Sequence, residues 1–256
     1  MSRAERIAKL AVQRLPRALR REVVAAVLAA DPPAFVEAVT REVNPAPSVR
    51  AVEQDLEAGD RLEFEDLAGL FSSSILNHGA ISMPIRQAAY VFGVARRSGA
   101  RTAIEIGRWR GGSTILLAAA LGPGGKVWSI DLGEKEARSL GSAGGLDAQT
   151  QAFCERHGLD VELLVGDSRT IEVDTGEVDV VLIDGEHSYD AARNDFERFG
   201  RRVRVGGAVL FDDVADDPIV PALKGEVDRA VDEAVAGEDF VLRRVVDRLA
   251  HLERVR

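Results

Sequence analysis

Cysteine is nearly absent from this sequence, in which Cys154 is the one such residue among 256. A single cysteine excludes an intrachain disulfide and a zinc site built from cysteines. We expect a buried, unreactive thiol in a protein kept in a reducing compartment, and hence a cytoplasmic location.

Long hydrophobic runs are also absent. The longest apolar stretches, residues 23–30 and 115–121, are far shorter than the roughly 18 residues that a membrane-spanning helix needs. The beginning of the chain carries basic residues but no apolar stretch that leads to a cleavage site, as a secretory signal would. We therefore expect no integral membrane association.

Basic residues are fewer than acidic residues in this chain. The chain has 33 lysines and arginines against 42 acidic residues, a formal net charge of -9. This balance disfavours binding to a phosphate backbone, so nucleic acid is not an expected partner. With 46% hydrophobic and 29% charged residues the composition is that of a globular protein. A small-molecule or saccharide substrate is the expected partner, and homo-oligomerisation is left open.

The sequence changes character near residue 80. In the first 30 residues, apolar side chains recur at three- and four-residue steps, the spacing of one helical face, as in Ile7, Leu10, Leu15, Leu19 and Val23. We predict a helical region over residues 1–79, which would serve substrate binding or self-association, and a second domain over residues 80–256.

From Arg101 onward, short β-branched runs alternate with helical stretches. This alternation predicts an α/β fold, a doubly wound Rossmann-like sheet that is mostly parallel. The last two strand-like stretches, FVLRRVV and LAHLERV, are separated only by Asp247-Arg248. Two residues are too few for a crossover helix, so the C-terminal strand should run antiparallel.

Glycines and acids follow the predicted strands at the edge where open α/β sheets bind ligands. The first strand runs into a loop from Glu105 through Gly107 and Gly111 to Ser113. This loop lacks the G-x-G-x-x-G pattern, which disfavours NAD and FAD. The second strand ends at Asp131, 24 positions after Gly107, where a carboxylate can accept hydrogen bonds from ribose hydroxyls.

The third strand ends at Asp167 and Ser168. Each of these sites alone is weak, but their serial order resembles the class I S-adenosylmethionine-dependent methyltransferases from about residue 80 onward. The resemblance implies that the loop passes around the methionine part, that Asp131 holds the ribose, and that Asp167 and Ser168 border the adenine. The common form of the loop is E-x-G-x-G-x-G, and this chain has no middle glycine.

The fourth and fifth strands end in further acids, Asp184 in the stretch LIDGEHSY and the pair Asp212 and Asp213. Carboxylates from neighbouring strand ends, with His187 nearby, suit a hard divalent cation such as magnesium. Taken singly, these acids are equally helix caps or solvated turn residues. As a set they favour a metal, because uncompensated like charges in one cleft are costly.

The D-G-x-H-x-Y motif with the acidic pair resembles the metal-dependent sugar O-methyltransferases of macrolide biosynthesis and the cephalosporin-hydroxylase-like group. The resemblance implies that Asp184, Asp212 and Asp213 bind magnesium and that His187 is the base. The expected S-adenosylmethionine-binding residues are Glu105, Gly107, Gly111, Ser113, Asp131, Asp167, Ser168 and Asp184.

The chemistry agrees with that assignment. A hydroxyl that attacks the sulfonium methyl must lose a proton, and an imidazole near neutrality can accept it. Magnesium can hold two vicinal hydroxyls and lower the pKa of one of them. Of the other histidines, His157 and His251 are expected in structural roles, and His78 is the weaker candidate for a place beside the substrate.

We therefore predict a magnesium-dependent O-methyltransferase for a saccharide or other polyhydroxylated small molecule. Two other classes remain open: an NAD-linked oxidoreductase on the same scaffold, and a cofactor-binding scaffold without catalysis that recruits a partner through its basic N-terminal region.

Overall fold

The computed structural model describes residues 62–71, 80–81, 83–133, 145–214 and 225–256. The chain divides into two compact units, and all of these residues belong to the second, which comprises residues 47–73 and 78–256. Most of the predicted helical region, residues 1–79, thus lies outside the described residues. Within it, Glu65–Phe71 forms a 3-10 helix.

In the described part of the chain, seven strands form one sheet in the order β3-β2-β1-β4-β5-β7-β6. The strands are β1 Thr102–Ile106, β2 Lys126–Asp131, β3 Asp160–Val165, β4 Val178–Ile183, β5 Val203–Phe211, β6 Phe240–Val246 and β7 Leu249–Arg254. The helices are α1 Ile85–Arg97, α2 Gly112–Leu121, α3 Gly145–Arg156, α4 Tyr189–Arg198 and α5 Glu226–Ala236.

Strands β1 to β5 pair in parallel, whereas β7 pairs antiparallel with both β5 and β6. The predicted mostly parallel sheet with a reversed C-terminal strand is confirmed. Val246 pairs with Leu249, so the turn consists of Asp247 and Arg248, and Asp247 takes the left-handed conformation with φ 53°. Strand order reverses between β1 and β4, which makes their carboxyl ends the switch point where such sheets bind ligands.

Apolar side chains cover both faces of the sheet, as expected for parallel strands. On one face α1, α2 and α3 pack against the sheet, and every residue of α2 is buried. On the other face α4 and α5 enclose an aromatic group in which the Phe196 ring lies 5.9 Å from Phe211 and 5.0 Å from Phe240. The described helices include none that is long and apolar enough to cross a membrane.

Cys154 lies on α3 and is fully buried within the first of these cores. Burial raises the pKa of its thiol to about 12, so almost no reactive thiolate forms near neutral pH. The prediction of a buried thiol is confirmed.

Asp179 holds together the amino-terminal ends of three strands, opposite the edge where the predicted site residues lie. Its carboxylate accepts hydrogen bonds from the backbone N–H groups of Arg101 and Thr102 at 2.8 and 2.9 Å, and from the guanidinium of Arg204. Burial opposes ionisation of Asp179, but these hydrogen bonds outweigh it and lower the pKa of the carboxyl below 3.8.

We expect Asp179→Asn to lower the free energy of unfolding at pH 7 by about 1 to 2 kcal/mol, because an amide oxygen accepts fewer and weaker hydrogen bonds than a carboxylate that is partly open to water. Because the folded pKa is depressed, this stabilisation is present above the unfolded pKa and disappears as the pH falls through the folded value. Urea denaturation at pH 7 and at pH 3 measures both effects. Asp174→Asn, at an exposed loop position, is the matched control and should change neither.

Candidate active site

One cavity of about 630 Å³ opens at the carboxyl ends of β1 to β5. Ligand pockets of proteins commonly have volumes of about 300 to 1,000 Å³. Of the residues predicted from the sequence, those that line the cavity are Gly107, Ser113, Asp131, Asp167, Ser168, Asp184, His187, Asp212 and Asp213. Glu105 and Gly111 do not line it, and His78 lies outside the described residues.

Glu105 lies beneath the cavity floor and is fully buried. Its carboxyl accepts hydrogen bonds from the hydroxyls of Thr114 on α2 and Ser129 on β2, both at 2.5 Å. Burial raises the pKa of this carboxyl, although the hydroxyls partly offset that effect. In this structure Glu105 joins β1, β2 and α2 below the loop, so its predicted cofactor contact stays a prediction.

The two glycines of the loop are required by close packing. Gly107 has φ 92°, and a Cβ at this position would lie 1.9 Å from the carbonyl oxygen of Asp184. Gly111 has φ 81°, and a Cβ there would lie 2.1 Å from the hydroxyl oxygen of Thr150 on α3. Only glycine combines this left-handed backbone with these approaches. The loop is thereby pressed against the end of β4 and the side of α3.

Trp109 occupies the position where the resembled family has its middle glycine. Its φ of 46° is left-handed, a conformation rare for a bulky side chain, and the guanidinium carbon of Arg110 lies 4.2 Å from the centre of the indole ring. Arg108 is only 2% exposed and pairs with both carboxylate oxygens of Asp147 at 2.9 Å. Residue 109 therefore keeps the left-handed backbone that glycine usually adopts, although it is a tryptophan.

Asp131 is the acceptor that fixes this loop. Its Oδ2 accepts the backbone N–H groups of Arg108 and Trp109 at 2.9 and 3.0 Å, and its Oδ1 accepts the N–H of Gly133 at 2.7 Å. Each carboxylate oxygen can accept two hydrogen bonds, so the side chain retains capacity toward the cavity. The sequence predicted the place of Asp131 but not its role as the anchor of the loop.

Asp167 and Ser168 line the same cavity at the end of β3. The carboxylate of Asp167 forms a two-point ion pair with Arg169, and these hydrogen bonds lower the pKa of that carboxyl. The Ser168 side chain hydrogen-bonds to Asp195 of α4. Burial raises the pKa of the Asp195 carboxyl. Asp195 is only 1% exposed and also lines the cavity. No strand-end signal in the sequence pointed to it.

Asp184, His187 and Asp213 bring potential metal-ligating atoms within 4.8 Å of one another. His187 Nδ1 lies 2.6 Å from Asp213 Oδ2, and the Arg248 guanidinium lies 2.7 Å from Asp213 Oδ1. Asp213 has φ 57°, a left-handed backbone of the kind that is often found at functional sites. Asp212 is not part of this cluster.

Ionisation differs sharply among the three aspartates. Burial and the charges of Asp212 and Asp213 raise the pKa of Asp184 well above its usual value. Burial and the charge of Asp213 raise the pKa of Asp212 to about 6. Burial also opposes ionisation of Asp213, but His187 and Arg248 outweigh it and lower its pKa. Asp213 is therefore the most readily ionised of the three, and an added cation would favour ionisation of the other two.

Three further residues shape this edge without any signal in the sequence. Gln87 of α1 donates a hydrogen bond to Asp212, Arg248 of the β6–β7 turn pairs with Asp213, and Arg108 fills the space beneath the loop. The other two histidines among the described residues lie elsewhere. His157 is buried beside Phe153, and His251 hydrogen-bonds to the hydroxyl of Tyr90 at 2.9 Å.

Residues 104–214 match the family model described as a methyltransferase domain. A curated relative, the uncharacterized protein R132 of Acanthamoeba polyphaga mimivirus, is 34% identical over 61 residues. That alignment covers 24% of this chain and 28% of the relative, so it spans less than a third of that protein.

Solved structures share the fold. The O-methyltransferase TomG from Streptomyces achromogenes, involved in tomaymycin synthesis and solved with S-adenosylmethionine, is 21% identical, with a TM-score of 0.54 over 82% of this chain and 97% of that one. The O-methyltransferase from Bacillus cereus, solved with S-adenosylhomocysteine, is 20% identical, with a TM-score of 0.51 over 86% and 97%. The O-methyltransferase NovP is 17% identical, with a TM-score of 0.54 over 88% and 100%.

At these identities the structural likeness establishes the fold, and the family match adds the domain. The matched segment begins on β1 and ends just after β5, so it contains all five strand ends around the cavity. Residues 104–214 therefore match a methyltransferase domain, and the chain shares the Rossmann-like fold of these O-methyltransferases.

Proposed function

We propose that this protein is an S-adenosylmethionine-dependent O-methyltransferase, assisted by a divalent cation such as magnesium, that acts on a hydroxyl of a saccharide or other polyhydroxylated small molecule. The observation that carries the proposal is the meeting of two features in one cavity. The loop anchored by Asp131 forms one side, and the cluster of Asp184, His187 and Asp213 forms another.

The first feature suits the cofactor. Gly107 lets the backbone of the loop approach the end of β4 closely, and Asp131 keeps one lone pair on Oδ1 for a ribose hydroxyl while it holds the loop N–H groups. Bound S-adenosylmethionine supplies an electrophilic methyl group on a sulfonium. Asp167 and Ser168, at the next strand end, are the proposed neighbours of the adenine.

The second feature suits a hard cation. Carboxylate oxygens are the ligands that magnesium prefers. Burial and the charge of Asp213 raise the pKa values of Asp184 and Asp212, so an added cation would stabilise their ionised forms. Asp184, Asp212 and Asp213 are the proposed ligands. When bound, the cation lowers the pKa of an acceptor hydroxyl and holds a vicinal one beside it.

His187 is the proposed base. A hydrogen bond from its Nδ1–H to Asp213 leaves Nε2 as the nitrogen that accepts a proton. Asp213 also stabilises the imidazolium that forms, as a carboxylate does beside a catalytic histidine. The proton of the attacking hydroxyl therefore moves to Nε2 of His187.

A thermal-shift panel of S-adenosylmethionine, S-adenosylhomocysteine and NAD, each with and without magnesium, tests the proposal at the level of binding. Transfer of labelled methyl groups to vicinal sugar diols, catechols and simple alcohols then tests the acceptor class. We expect stabilisation by the two sulfur compounds and transfer to diols. Stabilisation by NAD alone would identify an oxidoreductase instead.

Asp131→Ala should weaken binding of S-adenosylhomocysteine by about 10- to 100-fold, because charge-assisted hydrogen bonds of about 1.5 to 3 kcal/mol are lost at the ribose and in the loop. Isothermal calorimetry on the purified protein gives the affinity. Asp160→Ala, at the exposed opposite end of β3, is the control. Native affinity in Asp131→Ala would remove this residue from the cofactor site.

Removal of divalent cations with EDTA should abolish methyl transfer but leave S-adenosylhomocysteine binding within about twofold, because the cation is proposed to hold the acceptor. Added magnesium should restore the rate. Asp184→Asn should lower the rate at all magnesium concentrations. Full transfer after exhaustive EDTA treatment would contradict the metal assignment, and loss of both properties would point to a structural cation.

His187→Ala should lower turnover by about 100- to 10,000-fold, the usual contribution of a positioned general base, with little change in cofactor affinity. The native rate should fall at acid pH, where a protonated imidazole cannot accept a proton, and the variant should lose this limb. Single-turnover rates, cofactor affinity and melting temperature on one preparation separate catalysis from stability. His251→Ala is the control, and a stable His187→Ala protein with native turnover would refute the assignment.

A further inference from the structure

Gln87 lies in the first turn of α1, and its relative exposure is 0%, which is unusual for a residue type that is mostly exposed. Its Nε2 donates to Asp212 Oδ1 at 2.5 Å, and its Oε1 accepts the backbone N–H of Arg248 at 3.4 Å. A carboxylate oxygen only accepts and an N–H only donates, so these two partners fix the orientation of the amide.

Both partners of Gln87 lead to Asp213. Asp212 Oδ1 also accepts the backbone N–H of Asp213 at 2.7 Å, and the guanidinium of Arg248 pairs with Asp213 Oδ1 at 2.7 Å. The buried amide of Gln87 therefore restrains the backbone of Asp213 through Asp212, and it restrains the side chain of Asp213 through Arg248. This matters because Asp213 has the left-handed φ of 57°, which an aspartate keeps only when its surroundings impose it.

The same amide determines which oxygen Asp212 presents. Oδ1 accepts from both Gln87 and the Asp213 N–H, which uses its two lone pairs. Among the described residues no hydrogen bond reaches Oδ2, and Asp212 lines the cavity. Gln87 thus leaves one oxygen of Asp212 available to a ligand in the cavity.

We propose that Gln87 is a positioning residue that sets the geometry of Asp212 and Asp213 within the acidic edge formed by Asp184, Asp212 and Asp213, and through them the affinity for a divalent cation and the orientation of His187. This inference rests on the proposed function. Loss of the amide removes the donor to Asp212 and the acceptor for the Arg248 N–H, so Asp212 becomes free to rotate and the Arg248 turn is released. Loss of a hydrogen-bond partner of a metal ligand typically weakens metal binding by about 10- to 100-fold.

Gln87→Met in the full chain tests this role, because methionine has a similar volume and no amide. The matched control is Gln151→Met on α3, where the native amide also donates to a carboxylate, that of Glu155 at 3.0 Å, but on the surface. For each protein, manganese affinity, S-adenosylhomocysteine affinity and melting temperature are measured, and ¹⁵N NMR reports which nitrogen of His187 carries the proton.

We expect Gln87→Met to bind manganese about 10- to 100-fold more weakly than the native protein and to lose the preference for Nδ1–H at His187, with cofactor affinity within about twofold. Gln151→Met should match the native protein throughout. If Gln87→Met fails to fold, Gln87→Leu takes its place, because leucine also lacks both hydrogen-bonding groups of the amide and adds no charge.

Native manganese affinity and a native His187 tautomer in the variant would overturn the inference and leave the proposed function intact. A joint fall in manganese affinity, cofactor affinity and melting temperature would also overturn it, because it would show a merely structural role. A native protein that binds S-adenosylhomocysteine but no manganese would reject the cation in the proposed function and this inference with it. A native protein that binds neither would reject the proposed function as a whole.

Discussion

Mutual repulsion among Asp184, Asp212 and Asp213 is the constraint on which the carboxyl edge of the sheet depends. Parallel strands β4 and β5 end side by side, so the acids that follow them meet at one end of the cavity, where burial disfavours ionisation of Asp184 and Asp212. Removal of carboxylates from water is costly unless cations or hydrogen-bond donors compensate. His187, Arg248 and Gln87 supply part of that compensation, and each comes from a different element of the fold.

The side of the cavity that is proposed to bind the cofactor has a different requirement, because its loop must stay open without collapsing. The carboxylate of Asp131 holds three backbone N–H groups of the surrounding loops. Trp109 adopts a backbone conformation that glycine would adopt more readily, and the buried Arg108 supports it through Asp147. Side-chain hydrogen bonds thus do here what a third glycine does in the common form of the motif.

The sequence predicted those features of the fold that follow from the pattern of strand-like and helical stretches along the chain. The strand-helix alternation and the two-residue turn at Asp247-Arg248 predicted the sheet and its reversed strand. The strand-end acids named from the sequence line the cavity, because the carboxyl ends of parallel strands share one edge. The proposed roles of these residues stay predictions.

The supporting residues were not predictable from the sequence. Gln87 lies 125 positions from Asp212 in the chain. The sequence of its helix gives no sign that this polar side chain is buried. Glu105 stands at a motif position, yet its side chain points into the core because alternate residues of β1 face opposite sides of the sheet. Side-chain direction of this kind depends on which elements pack together, and a single sequence does not give that arrangement.

Strand β7 lies between β5 and β6, although it follows both of them in the chain. During synthesis β5 therefore exposes an unpaired edge until residues 249–254 emerge, and an unpaired edge is prone to association with other strands. Arg248 immediately precedes β7 and is one of the cations that balance Asp213. The hairpin that pairs with the edge of β5 therefore also carries this counter-charge to the acidic edge, so closure of the sheet and charge balance in the cavity depend on one segment.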